Sequence, residues 1–116
     1  MLKVKRVYEP RSDGDGFRIL VDRLWPRGLR KDEAGVDSWL RDIAPSAELR
    51  RWFGHDPEKW QEFRRRYRDE LERNGAAVAD LRQRVEGRPA TLLFAAKDAE
   101  HNNAVALLDF IEGMDR

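Results

Sequence analysis

Charged and hydrogen-bonding side chains gather at the ends of three apolar runs. The first run ends at Tyr8-Glu9-Pro10-Arg11. The second ends at Asp22-Arg23, followed by Trp25-Pro26-Arg27-Gly28, and the third at Lys97-Asp98, followed by Glu100-His101-Asn102-Asn103. Guanidinium groups fork onto phosphate or carboxylate oxygens. Arg11, Arg23 and Arg27, with Lys97, therefore read as the charge of an anion site. His101 beside Asp22 or Asp98 has the residue types for proton exchange near neutral pH, which makes Asp22 and His101 the catalytic candidates. Asn102 and Asn103 offer amides to a ligand, and Trp25 is the aromatic in a polar loop placed for ligand contact. A purely architectural reading stands beside this one: Asp98 caps the last helix, and Asp22 pairs with a nearby arginine to hold its loop.

The elements that would position these groups follow from periodicity. Leu2 to Tyr8 alternates, with Leu2, Val4 and Arg6 on one face and Lys3, Lys5 and Val7 on the other, and reads as a strand. Glu9 to Gly16 is a dense turn cluster. Phe17 to Asp22 is a second strand whose Ile19-Leu20-Val21 centre is apolar on both faces, as in a covered sheet. Trp25-Pro26 and Gly28 impose a loop. Asp37 to Ile43 is expected to be a short helix stopping before Pro45. Ser46 caps a further helix that closes at Gly54. Asp56, with Pro57 and Glu58, opens the clearest helix, in which Trp60, Phe63, Tyr67 and Leu71 form one stripe up to Asn74-Gly75. Val78, Leu81 and Val85 mark another helix, Ala90 to Ala96 a third strand, and His101 to Ile111 a last helix. The expectation is an α/β fold over residues 1–116: a small, mostly parallel β-sheet with helices packed on it, in a single compact domain. Three strands make a small sheet, so a hidden edge strand or unusually extensive helical cover is needed. The first two strands are either neighbours or separated by the third. In such sheets ligands bind outside the carboxyl ends of the strands, where the three polar clusters would meet.

Other motifs carry less. The Arg64-Arg65-Arg66-Tyr67-Arg68 run has the types of a nucleic-acid contact. Its tyrosine, however, belongs to the buried stripe, and Glu62, Asp69, Glu70 and Glu72 stand at pairing distances, so a salt-bridged helix face is expected. His55-Asp56 reads as a capping turn rather than a metal site, because two histidines and no cysteine are too few ligands. Gly14-Asp15-Gly16 opens no helix and is no dinucleotide or phosphate-loop fingerprint. Trp39, Trp52, Phe53, Trp60 and Phe63 read as core.

Composition sets the outer limits. The 116 residues carry a formal charge of +1, from 23 Lys plus Arg against 22 Asp plus Glu, so bulk electrostatics call for neither nucleic acid nor a membrane. With 41% hydrophobic residues the chain has material for a core despite 39% charged residues. The absence of cysteine excludes disulfides and thiolate catalysis, and fits a reducing compartment. The N-terminus lacks the apolar stretch of a signal peptide, and no run is long enough to span a bilayer. A cytoplasmic protein is expected.

Val7-Tyr8 with Gly14-Asp15-Gly16, the stretch Leu20 to Gly28, Ile43-Ala44-Pro45-Ser46, Trp52 to Pro57, and Ala95 to Asp98 with Glu100 to Ala104 together resemble the YeaO-like branch of the domain-of-unknown-function 488 family. The resemblance spans nearly the whole chain. It implies a compact α/β domain of bacteria and archaea and brings no established activity. Other branches of that family carry cysteines around the last strand and helix. Here Phe94 stands at the first cysteine position and Asn102-Asn103-Ala104 at the Cys-His-Arg position. What carries over is the location of the strand-end loop rather than any thiol chemistry.

Two functional expectations follow. The first is a binding, or enzymatic, domain for an anionic small molecule, phosphorylated ones included, at the carboxyl edge of the sheet, held by Arg11, Arg23, Trp25, Arg27, Lys97, Asp98, Asn102 and Asn103. The second is a non-catalytic module that binds protein or nucleic acid through arginine-rich helix faces. No metal site is expected, and no cofactor or oligomeric state is specified.

Overall fold

A computed structural model describes residues 2–114. Four parallel strands form one sheet: β1 (Leu2–Arg6), β2 (Phe17–Leu20), β3 (Ser38–Trp39) and β4 (Ala90–Phe94), in the order β1-β4-β2-β3. The first two strands are thus separated by the last. Val4 and Ile19 flank Leu92 from either side, and Lys3 and Arg18 flank Thr91. Four helices follow the chain: α1 (Ala47–Phe53), α2 (Trp60–Glu72), α3 (Gly75–Val85) and α4 (Asn103–Met114).

All four helices lie on one face of the sheet. The alternation of each strand sends Val4, Ile19, Leu92 and Phe94 to that side, where they meet Phe53, the Trp60-Phe63-Tyr67-Leu71 stripe, Leu81, Leu107 and Ile111. The other face carries Leu20 and Leu93, with Val7 beyond the end of β1, and is covered by loops bearing Trp25, Leu29 and Val36 together with Trp39 of β3. The crossovers explain the division. The chain moves from β1 past β4 to β2, and on to β3, by loops on one face. It returns from β3 to β4 through α1, α2 and α3 on the other. Opposite directions on opposite faces are what a single hand of crossover requires.

The loop-covered face also buries charge. Arg18 is fully buried and pairs through Nη1 with Asp15 at 2.8 Å, while its Nη2 donates to the carbonyls of Glu9 and Ala34. Lys5 reaches the same carboxylate at 3.0 Å, and Thr91 Oγ1 donates to the Asp15 carbonyl. This cluster ties the first crossover loop to three strands. Gly14-Asp15-Gly16, anticipated as a turn, is the 3-10 turn Asp13–Asp15 closed by Gly16 at φ +65°. A Cβ on Gly16 would lie 2.1 Å from the Pro89 carbonyl oxygen, so only glycine fits there.

The helix expected over Asp37 to Ile43 does not form. Residues 38–39 are the fourth, edge strand, and only Arg41–Ile43 makes a 3-10 turn. The reason is tertiary. The Asp37 N–H donates to the Arg18 carbonyl, the Leu40 N–H donates to the Leu20 carbonyl, and the Asp37 carboxylate accepts the Arg18 N–H. The free edge of β2 thus captures the segment. The remaining elements lie within a few residues of expectation. Ser46 caps α1 by accepting the Leu49 N–H at 3.0 Å, and Asp56 caps a 3-10 turn with Pro57 in its first turn, leading into α2.

Candidate functional site

Because every strand is parallel, β1, β2 and β4 all release the chain at one edge. There, between the strand ends and α1, opens a pocket of about 610 Å³. Of the residues singled out from sequence, Asp22, Arg23, Trp25, Arg27, Asn102 and Asn103 line it.

Asp22 is the hinge of the site. Its two carboxylate oxygens accept the Ala95 N–H at 3.0 Å and the Asn103 amide at 3.1 Å, fastening the end of β2 to the exit of β4 and the start of α4. Burial pushes its pKa up. The Asn103 amide, the Ala95 N–H and the positive charges of Arg50 and His55 oppose that shift without cancelling it. The same Asn103 amide donates to the Val21 carbonyl. Asn102 is buried and committed at both ends, donating to the Asp98 carbonyl and accepting the Val105 N–H at 3.0 Å as the cap of α4. Trp25 donates its indole N–H to the Leu29 carbonyl at 2.6 Å and meets Trp39 edge-on.

The arginines here differ from the run on α2. Arg23 makes a single hydrogen bond, from Nη2 to the Ala44 carbonyl, and its buried Nε has no partner among the described residues. Arg50 on α1 also has a buried Nε without a partner, and none of its side-chain nitrogens pairs with a described carboxylate. Arg27 and Arg51 line the pocket from exposed positions. By contrast, Arg64, Arg65 and Arg66 on α2 all pair with carboxylates, at 2.8 to 3.2 Å, through Asp109, Glu62 and Asp69. Hydrogen bonds and charge from Arg65 and Arg66 hold the Glu62 pKa down to about 2.

Four expected site residues lie outside the pocket. Arg11 travels back with the crossover loop to the opposite end of the sheet, where it pairs with Asp37 at 2.9 Å and donates to the Gly16 and Gly35 carbonyls. Lys97 is exposed beyond the lining. Asp98 organises its own loop: it accepts the Glu100 and His101 N–H groups and holds the His101 ring at 2.9 Å, and these contacts lower its pKa. His101 faces Trp60 edge-on at 5.3 Å, so the two catalytic candidates do not meet.

The histidine at the pocket is instead His55. It follows Gly54 in the left-handed region, at φ +59°, a conformation that costs an ordinary residue about 1 kcal/mol. Arg50, Arg51, His55 and the aromatic wall of Phe53 and Phe63 were not anticipated as site residues. A signal existed: once Ser46 starts the helix, Ala47, Arg50 and Arg51 fall at offsets of three and four, on one face.

Among the described residues no cluster of His, Asp or Glu could hold a metal ion, and no helix is long and apolar enough to cross a membrane. Residues 1–114 match the family model described as "Inactive DUF488-N3 subclade". The chain belongs to the domain-of-unknown-function 488 family. It is 40% identical to the uncharacterised protein YeaO of Escherichia coli (strain K12) over 116 residues, covering 97% of this chain and 98% of that one. An uncharacterised protein of Mycobacterium tuberculosis (strain ATCC 25618 / H37Rv) is 42% identical over 112 residues, covering 97% of this chain and 94% of that one. No solved structure matches the chain.

Proposed function

We propose that this member of the family is a binding domain for a small anionic molecule, held in the pocket at the carboxyl edge of the sheet. The observation that carries the reading is the contrast in arginine pairing. Arg23 and Arg50 are partly withdrawn from water and touch no carboxylate, whereas Arg64, Arg65 and Arg66 on α2 are neutralised. Withdrawing an ion from water without a partner is costly, and a bound anion would offset that cost. Arg27 and Arg51 at the mouth would add long-range attraction.

Binding is favoured over turnover by the state of Asp22. Both its oxygens already accept fixed donors of the fold, and the four arginines that line the pocket do not exchange protons. The word "inactive" in the description of the subclade agrees with that preference. Cytoplasmic residence fits a cysteine-free chain and belongs to the same proposal.

The test is a thermal-shift series with inorganic phosphate, sulfate and small carboxylates at constant ionic strength, on wild type and on Arg50→Gln. An anion at about 100 times its Kd stabilises the native state by about 2.7 kcal/mol. A rise in Tm that is lost in Arg50→Gln is expected. Unchanged melting across the series, together with strongly salt-dependent binding of single-stranded nucleic acid, would transfer the function to the helix faces.

A further inference from the structure

The pocket is larger than a bare anion needs. A compact oxyanion fills roughly 100 Å³, the share of about three waters, against the cavity's about 610 Å³. The surplus volume has a chemical character. Four lining positions, Ala44, Ala47, Ala95 and Ala96, are alanines whose short side chains leave the space open. Pro26, Pro45, Phe53 and Phe63 add rigid apolar surface to the lining. At the mouth stand Tyr8, 39% exposed, and Leu24, 66% exposed, two of the three large hydrophobic residues that are exposed among those described. Solvent-facing apolar side chains gathered around a concave site mark a surface that is covered when the site is in use. The half-buried arginines Arg23 and Arg50 belong to its polar part, with Asp22, Asn102 and Asn103 beside them in the lining.

We infer that the ligand is an amphiphilic organic anion: one compact phosphate or carboxylate group held by Arg23 and Arg50, joined to a flat apolar body such as an aromatic ring lying against the alanine, proline and phenylalanine walls. The inference rests on the anion reading above and extends it to the rest of the molecule. The exposed Tyr8 and Leu24 close over the outer edge of the apolar body.

Isothermal titration of the full chain separates the two claims. Phenyl phosphate, 1-naphthyl phosphate, inorganic phosphate and phenol are compared at one ionic strength. Burying about 100 Å² of ring surface strengthens binding by roughly 50-fold, so both aryl phosphates are expected to exceed inorganic phosphate by about that factor. Ala47→Phe, which fills the apolar space, and Leu24→Ser should both lower the ratio of aryl phosphate to inorganic phosphate affinity. Arg50→Gln should weaken every anion. Equal affinity for aryl and inorganic phosphate overturns the amphiphile and leaves the anion site standing. Phenol binding as tightly as phenyl phosphate overturns the anion site itself, and silence from all three phosphates overturns both claims.

Discussion

At the scale of single residues, Asp22 shows how one side chain serves two purposes. It lies just beyond β2, where it accepts the first backbone N–H after β4, and its carboxyl feels the positive charge of Arg50. Removing it leaves the Ala95 N–H and the Asn103 amide without their acceptor, at a cost of about 1–3 kcal/mol each where they are withdrawn from water. Asp22→Ala is therefore expected to lose about 2 kcal/mol in urea unfolding. A variant as stable as wild type would show that the clamp is dispensable. The position of Asp22 at the site was legible from its place at the end of an apolar run. Its role was not, because sequence order does not reveal that Ala95 and Asn103, 73 and 81 residues away, converge on it. Arg11 shows the reverse: it follows a strand in sequence, yet the crossover loop doubles back and carries it to the other end of the sheet.

At the scale of elements, the helices were legible because their signals are local. Spacing of three and four, a serine or aspartate cap and a proline in the first turn act within a few residues. Ser46 adds a contact that no local signal reveals: its hydroxyl donates to Glu70 of α2 at 2.7 Å, and its N–H donates to the same carboxylate at 2.9 Å. The cap of α1 is thus locked to the last turn of α2, and α1 carries Arg50 and Arg51. Ser46→Ala should cost about 1–2 kcal/mol. It should also weaken anion binding through displacement of α1, with Ser46→Thr restoring both. Destabilisation without any change in binding would detach α1 from the site. The edge strand Ser38–Trp39 lay beyond local signals altogether, since two residues become a strand only because β2 offers them a ladder.

At the scale of the whole molecule, the two faces of the sheet are stabilised by different physics. The helical face relies on apolar packing. The loop face relies on the buried Arg18–Asp15–Lys5 cluster, where burial opposes ionisation of Asp15 but hydrogen bonds from Ser12, Lys5 and Arg18 prevail and hold its pKa well below the usual 3.8. A carboxyl whose folded pKa is depressed contributes stability that is present above its unfolded value and lost as the pH falls through the folded one. Wild-type stability should accordingly decline from about pH 4 downward. Asp15→Asn should start about 3 kcal/mol lower at neutral pH, with Arg18 left buried and uncompensated, and should decline less on acidification. Parallel pH profiles for the two proteins would sink this account. None of this pairing was legible beforehand, since Asp15 sits in what reads as an ordinary turn.

The position of β4 has a consequence for the order in which the protein is made. Its residues are synthesised last among the strands, yet it lies between β1 and β2 and supplies the partner for both. Until residue 94 has left the ribosome, β1 has no neighbour and β2 only the two-residue β3. The nascent chain must therefore carry β1 and β2 without their shared partner until β4 has been made. Lys3 and Lys5, alternating with the apolar residues of the strand that waits longest, place charge along it throughout that interval, which discourages association with other unfinished chains.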